Sequence, residues 1–143
     1  MKPGLAIGDS ADHRMVVAPH HTVRALFGDL DAFPAMPEVF ATAYMTGLME
    51  WACVELIRPF YEAGEDSLGT HVDFSHTAPT LPGQTVTVTA TVEAIDGRAI
   101  WFALSAHDGV EVIGEGRHQR HLIDGTRFAQ RLAAKRAAAG LGG

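Results

Sequence analysis

Residues 37–61, PEVFATAYMTGLMEWACVELIRPFY, constrain this chain more than any other stretch. Between Val39 and Val54 every residue is apolar, small or hydroxyl-bearing except Glu50. A helix apolar on nearly all sides belongs inside a fold, so the remaining elements have to be arranged around this one. Pro37 suits a first helical position, where its fixed φ and missing N–H cost nothing, and Glu38 in the first turn complements the macrodipole. Pro59 and the following Glu62-Ala63-Gly64 supply the stop, so a helix starting at Pro37 is predicted within residues 37–61. At roughly 100° per residue, Val39, Ala43, Thr46, Gly47, Glu50, Cys53, Val54 and Ile57 form one stripe. The Glu50 carboxylate is thereby expected among small and apolar neighbours, where an ion without partners costs several kcal/mol. Two readings stay open: a functional carboxylate, or a structural one bonded to a backbone group or a hydroxyl such as Thr46, one turn earlier.

The rest of the chain reads mostly as strands. Residues 1–13 form an extended lead-in, Arg14–Val17 a short strand, and Thr22–Leu26 a short helix ended by Gly28. Asp29–Met36 is a loop without periodicity. After the helix, Leu68–Thr77 has strand character, with Thr70, Val72, Phe74 and His76 on one face, expected to pack on the helix. Taken alone, His76 reads first as an ordinary core or loop histidine. Thr85, Thr87, Thr89 and Thr91 alternate with Val86, Val88, Ala90 and Val92, the pattern of a half-buried antiparallel strand. Asp96-Gly97 and Asp108-Gly109 are hairpin turns, so Ala99–His107 and Val110–Ile123 return as further strands. Ile100, Phe102, Leu104 and Ala106 point inward in the first of these. Gly114 and Gly116 share a face with His118 and Arg120 in the second, which points to a bend or a close approach by a ligand or another backbone. A C-terminal amphipathic helix spans about residues 125–139, ahead of a flexible tail at 140–143.

One buried helix against an antiparallel meander is an α+β architecture, here a single domain covering residues 1–143. That length supports one core without disulfide or metal staples. With 11 Lys+Arg against 17 Asp+Glu the net charge is −6, which argues against broad nucleic-acid binding. The single Cys53 cannot form an intrachain disulfide and fits a reducing compartment. No apolar run of signal or membrane-spanning length is present, so a cytoplasmic protein with no membrane partner is expected. His20-His21 has no ligand cluster following at metal spacing, and no metal site is predicted.

The strings FATAYMTGLMEWACVE, GEDSLGTHVDFSHTAPT, PGQTVTVTATVE and SAHDGVEVIGEGRHQR, in that order along nearly the whole chain, closely resemble the fluoroacetyl-CoA thioesterase family of hotdog-fold proteins. The resemblance implies a sheet wrapped around the long helix, a homodimer, and hydrolysis of a short acyl-CoA thioester to CoA and free acid without metal or cofactor. It implies a catalytic set of Thr42, Glu50 and His76, with Gly69 lining the acyl pocket and Arg120 as a charged group nearby. Phe33 and Met36 fall where the family carries a lid over that pocket, with Met36 standing where a second aromatic is expected. Plain packing over the helix N-terminus is the other reading of that pair. Thr46 remains a second hydroxyl candidate beside Glu50. Phosphates of CoA call for cations, for which Arg117, Arg120 and the Lys135/Arg136 pair are available.

Thr42 and Glu50 are eight residues apart, roughly 12 Å along one helix axis and about 80° apart in direction, and so cannot bond within one continuous helix. A site shared between two subunits, or a break in the helix at Thr42, is therefore expected. Two other functions compete. A hotdog hydratase or dehydratase would act on an acyl thioester, although such enzymes place an Asp/His pair on a strand-to-helix overhang. A non-catalytic acyl-CoA-binding protein would keep the pocket without turnover.

Overall fold

A computed structural model describes residues 1–142; Gly143, the last residue of the expected flexible tail, lies outside the described residues. Five strands are present: β1 Ser10–Val16, β2 Glu65–His76, β3 Thr85–Asp96, β4 Ala99–His107 and β5 Val112–Asp124. They form one antiparallel sheet in the order β1-β3-β4-β5-β2. Helix α1, Thr42–Ile57, lies against its concave face, and α2, Gly125–Ala138, follows β5.

The sheet curls round α1 because its inward positions are consistently apolar. Val86, Val88, Ala90 and Val92 of β3 and Ile100, Phe102, Leu104 and Ala106 of β4 are all buried, as their alternation predicts. They meet Met45, Leu48, Met49, Ala52, Cys53 and Ile57 of α1 in one core. The glycines of β5 admit close approach rather than a bend in open space. A Cβ on Gly114 would press on the Ser75 carbonyl and the Met45 side chain, and one on Gly116 would overlap the Asp73 carbonyl and Phe74.

α1 begins at Thr42, not at Pro37 as expected from the sequence. The residues between are held extended by other partners. Phe40 N–H donates to the Thr80 carbonyl and Ala41 N–H to that of His21, while Val39 accepts from Val23 N–H. These bonds leave no backbone groups for a helical turn, and buried Phe40 is anchored beneath them. β1 is longer than expected, starting at Ser10, because it pairs along its length with β3 from Ser10↔Thr91 to Val16↔Thr85. The predicted short helix at 22–26 is instead two 3-10 turns, Pro19–His21 and Val23–Ala25.

The stripe expected to be buried is also only partly so. Cys53 and Ile57 are buried, but Ala43 and Gly47 are exposed and Thr46, Glu50 and Val54 only half-covered. α1 therefore turns its Met45/Leu48/Met49/Ala52 side to its own sheet and leaves a second, small and apolar side uncovered. Alongside it, β2 is an edge strand with no partner on its outer side, and Leu68 and Val72 on it are exposed.

β2 carries one irregularity that positions the site. Its pairing with β5 shifts register between Gly69 and His71, leaving Thr70 as the extra residue. Gly69↔Arg120 precedes the shift and Val72↔His118 follows it, so Ser67 and Gly69 face inward together with Val72, Phe74 and His76. Thr70, expected on the inward face, instead donates its hydroxyl to Gln119.

Candidate active site

Two polar clusters lie on the α1 side of the sheet. The first is at the N-terminus of α1. Thr42 is the first residue of the helix, and its Oγ1 lies 2.8 Å from His76 Nδ1 at the end of β2. His76 Nε2 is buried and has no hydrogen-bond partner among the described residues. Burial pushes the His76 pKa below its ordinary value, opposed by the Ala78 backbone, so the ring is neutral near pH 7. The pair lines an open cleft of about 320 Å³ with Val39, Phe40, Ala78 and Pro79.

The second cluster surrounds Glu50, two turns further along α1. Its Oε1 is 3.6 Å from Arg120 Nη1 and 3.6 Å from His118 Nε2, and 38% of the side chain remains exposed. Gly69 stands directly against the carboxylate, since a Cβ there would overlap Glu50 Oε1 and approach His118 Cε1 to 3.0 Å. Arg120 is only 7% exposed. Its Nε donates to Ser67 Oγ at 2.8 Å and its Nη2 to the Ser67 carbonyl at 2.9 Å. Ser67 Oγ is in turn 2.6 Å from the Tyr61 hydroxyl, whose pKa burial pushes up.

The structure thus brings Thr42 to His76, and Glu50 to Gly69 and Arg120, but leaves the two groups apart on one continuous helix. The polar neighbours of the Glu50 carboxylate are His118 and Arg120 rather than Thr46, which is half-buried on the same face. Phe33 and Met36 lie outside both clusters. Phe33 packs on Phe27 with ring centroids 5.4 Å apart and the planes tilted by 52°. Met36 is 46% exposed, with its carbonyl accepting from Arg24 Nε at 2.7 Å. Arg117 is engaged elsewhere, paired with Glu93 at 2.8 Å and lying over Trp101. Lys135 and Arg136 sit on exposed α2, with Lys135 lining a groove beside Leu68 on the outer face of β2. His118, Ser67 and Tyr61 escape a sequence reading. The available signal was polar residues falling on the inward phase of β5 and β2.

A neutral histidine beside a hydroxyl, and a carboxylate held beside a guanidinium, are groups suited to proton transfer and to attack on an acyl carbon. Among the described residues no group of three or more His, Cys, Asp and Glu side chains is placed to hold a metal ion. The sequence model of a known family, described as fluoroacetyl-CoA-specific thioesterase, matches residues 17–126. The chain belongs to that family. It is 48% identical over 135 residues to a fluoroacetyl-CoA thioesterase of Streptantibioticus cattleyicolor, covering 94% of this chain and 97% of that one. A solved structure of the fluoroacetyl-CoA thioesterase FlK superposes with a TM-score of 0.90 at 48% identity, covering 92% of this chain and 98% of the other. A mutant of FlK in complex with fluoroacetate and CoA gives 0.84 at 49% identity, over 87% and 99% of the two chains. These likenesses cover the elements carrying both clusters, and they bear out the hotdog arrangement of an antiparallel sheet round a long helix.

Proposed function

We propose that this protein hydrolyses a short acyl-CoA thioester, with fluoroacetyl-CoA or a similarly small acyl-CoA as substrate, to CoA and the free acid. The observation that carries the chemistry is the Glu50 carboxylate, partly open to solvent and flanked by Gly69, His118 and Arg120. In the proposed reaction Glu50 takes a proton from the water that attacks the thioester carbonyl carbon, or attacks that carbon itself to form a mixed anhydride that water then hydrolyses to the free acid and the regenerated carboxylate. The C–S bond breaks, the electron pair leaves on the CoA sulfur, and a proton returns to that thiolate. His76 moves the proton through Nδ1, the nitrogen that meets Thr42 Oγ1 at 2.8 Å, and Thr42 positions water or substrate. Backbone N–H groups of Thr42 and Ala43, which open α1 and have no intrahelical acceptor, are suitable donors for the developing oxyanion. Gly69 lets the Glu50 carboxylate sit against the β2 backbone at the place where a short acyl group would be held, with Phe33 and Met36 of the other chain as its lid and Thr46 as a further lining hydroxyl. The reaction so drawn calls for no metal or cofactor.

Each site in this reading belongs to two chains. The uncovered side of α1 and the free edge of β2 beside it offer a surface suited to a second copy. A second copy docked there would set Thr42 and His76 of one subunit opposite Glu50 and Arg120 of its partner, which would account for the roughly 12 Å offset along the helix. The test mixes inactive Thr42→Ala and Glu50→Gln chains. Recovery of about one working site per heterodimer supports the shared site. No recovery after verified subunit exchange contradicts it. The reading places the protein in the cytoplasm, consistent with no described helix being long and apolar enough to cross a membrane.

A further inference from the structure

The carboxylate cluster contains one histidine that the proposed reaction does not use. His118 is fully buried on the inward face of β5. Its Nδ1 lies 2.7 Å from the His71 carbonyl, an acceptor only, so Nδ1 carries the proton and donates. Its Nε2 lies 3.2 Å from Arg120 Nη1, a donor only, so Nε2 is unprotonated and accepts. These two contacts define a neutral ring of one tautomer. Burial lowers its pKa and the Arg120 cation adds to that, against the His71 bond and the Glu50 charge, which agrees with the geometry.

The two partners of the ring are structurally specific. His71 is the residue at which pairing resumes after the register shift in β2, so the Nδ1 bond pins the irregularity that turns Gly69 toward Glu50. Arg120 is bonded twice to Ser67, through Nε and Nη2, which leaves Nη1 as the end nearest the carboxylate. Nη1 is the atom that His118 holds. Without that acceptor the guanidinium keeps its Ser67 anchor but is free to tilt about it, and Nη1 loses its set distance from Glu50.

We infer that His118 is a positioning residue: a neutral, Nδ1-protonated imidazole that joins the β2 bulge to Arg120 and holds that guanidinium against the Glu50 carboxylate. Its Nε2 is 3.6 Å from Glu50 Oε1, beyond hydrogen-bond reach, and it acts on the reaction through Arg120. This inference rests on the thioesterase reading for its effect on rate, but the state of the ring does not depend on that reading.

Two measurements test it. The first is an imidazole ¹⁵N spectrum of the wild-type protein at neutral pH, which requires neither substitution nor substrate. One histidine with protonated Nδ1 and unprotonated Nε2, the Nε2 resonance shifting in Arg120→Leu, is expected. An imidazolium or an Nε2–H tautomer for His118 overturns the proposal. The second compares His118→Gln, whose amide oxygen reaches Nη1, with His118→Leu, which offers no acceptor. kcat for acyl-CoA hydrolysis is expected to fall about tenfold or more in the Leu variant with KM within about threefold, and to recover in part with Gln. Equal losses in two folded variants, or a Leu variant with wild-type kcat, overturn it. Absence of turnover by the wild type would count against the thioesterase reading, with the spectrum still deciding the ring state.

Discussion

Replacing Gly69 with alanine separates the position of the Glu50 carboxylate from the stability of the fold. Gly69 lies within β2 with backbone angles open to any residue, so the substitution strains no dihedral. Its new Cβ would overlap Glu50 Oε1, crowd His118 Cε1 at 3.0 Å and stand 3.6 Å from Arg120 Nη1. Of these, the carboxylate is the far end of a flexible and partly exposed side chain, and it is the group that moves. The displacement needed is on the order of 1 Å, and misplacements of that size cost about 10²-fold in rate, or roughly 2.7 kcal/mol of transition-state stabilisation. Stability should change little. Alanine in a strand recovers about 0.5–1 kcal/mol of backbone entropy relative to glycine, which offsets local crowding of similar size. Steady-state thiol release with a melting curve on the same sample reads both quantities. A Gly69→Ala protein that melts like the wild type and turns over like the wild type would refute the placement of Glu50 at the reacting centre. A large loss of melting temperature would show that Gly69 is needed for packing instead.

His76→Ala should lower kcat about 10²-fold or more if His76 transfers a proton, whereas a change confined to KM in the same steady-state assay would assign it to binding. Gly116→Ala is the structural counterpart of Gly69→Ala. Its Cβ meets the backbone of Asp73 and Phe74, which cannot swing aside, so a loss of about 1–3 kcal/mol in denaturant unfolding is expected. Stability should also fall as pH drops from about 7 to 5. His21, His76 and His118 all have pKa values lowered in the fold, burial being the leading cause, so the unfolded chain takes up protons below about 6.5 that the native state refuses. Their contribution is complete above about pH 6.5 and is lost progressively toward the folded-state values. Glu65 and Asp108, with lowered carboxyl pKa values, add their losses only at more acidic pH. Equal melting temperatures at pH 7.5 and 5 would contradict this assignment.

How far these features could be read from residues alone differs by element. The Thr/Val alternation of β3 and the Asp-Gly turns announce their strands because each position has one face and one neighbour. The start of α1 was not legible. Pro37 and Glu38 form a sound helix N-terminus locally, but carbonyls of His21 and Thr80, distant in sequence, claim the intervening N–H groups. Nor was the extra residue at Thr70, since a register shift belongs to the pairing of two strands and not to either one. The candidate site was legible only in part. Glu50 stands out as the one charged residue between Val39 and Val54, and the distance argument between Thr42 and Glu50 holds in a continuous α1. Arg120 reads as an ordinary surface arginine until β5 places it inward, and His118 is visible only through its two partners. The uncovered side of α1 explains why a helix apolar all round is not wrapped fully by its own sheet.

The most direct measurement is release of CoA thiol from fluoroacetyl-CoA and acetyl-CoA by the wild-type protein and by Glu50→Gln, side by side. Turnover by the wild type, reduced about 10²-fold or more in Glu50→Gln with an unchanged melting curve, is the predicted result. Undiminished turnover in Glu50→Gln, or binding of both compounds by the wild type with no thiol released, would contradict a thioesterase built on Glu50.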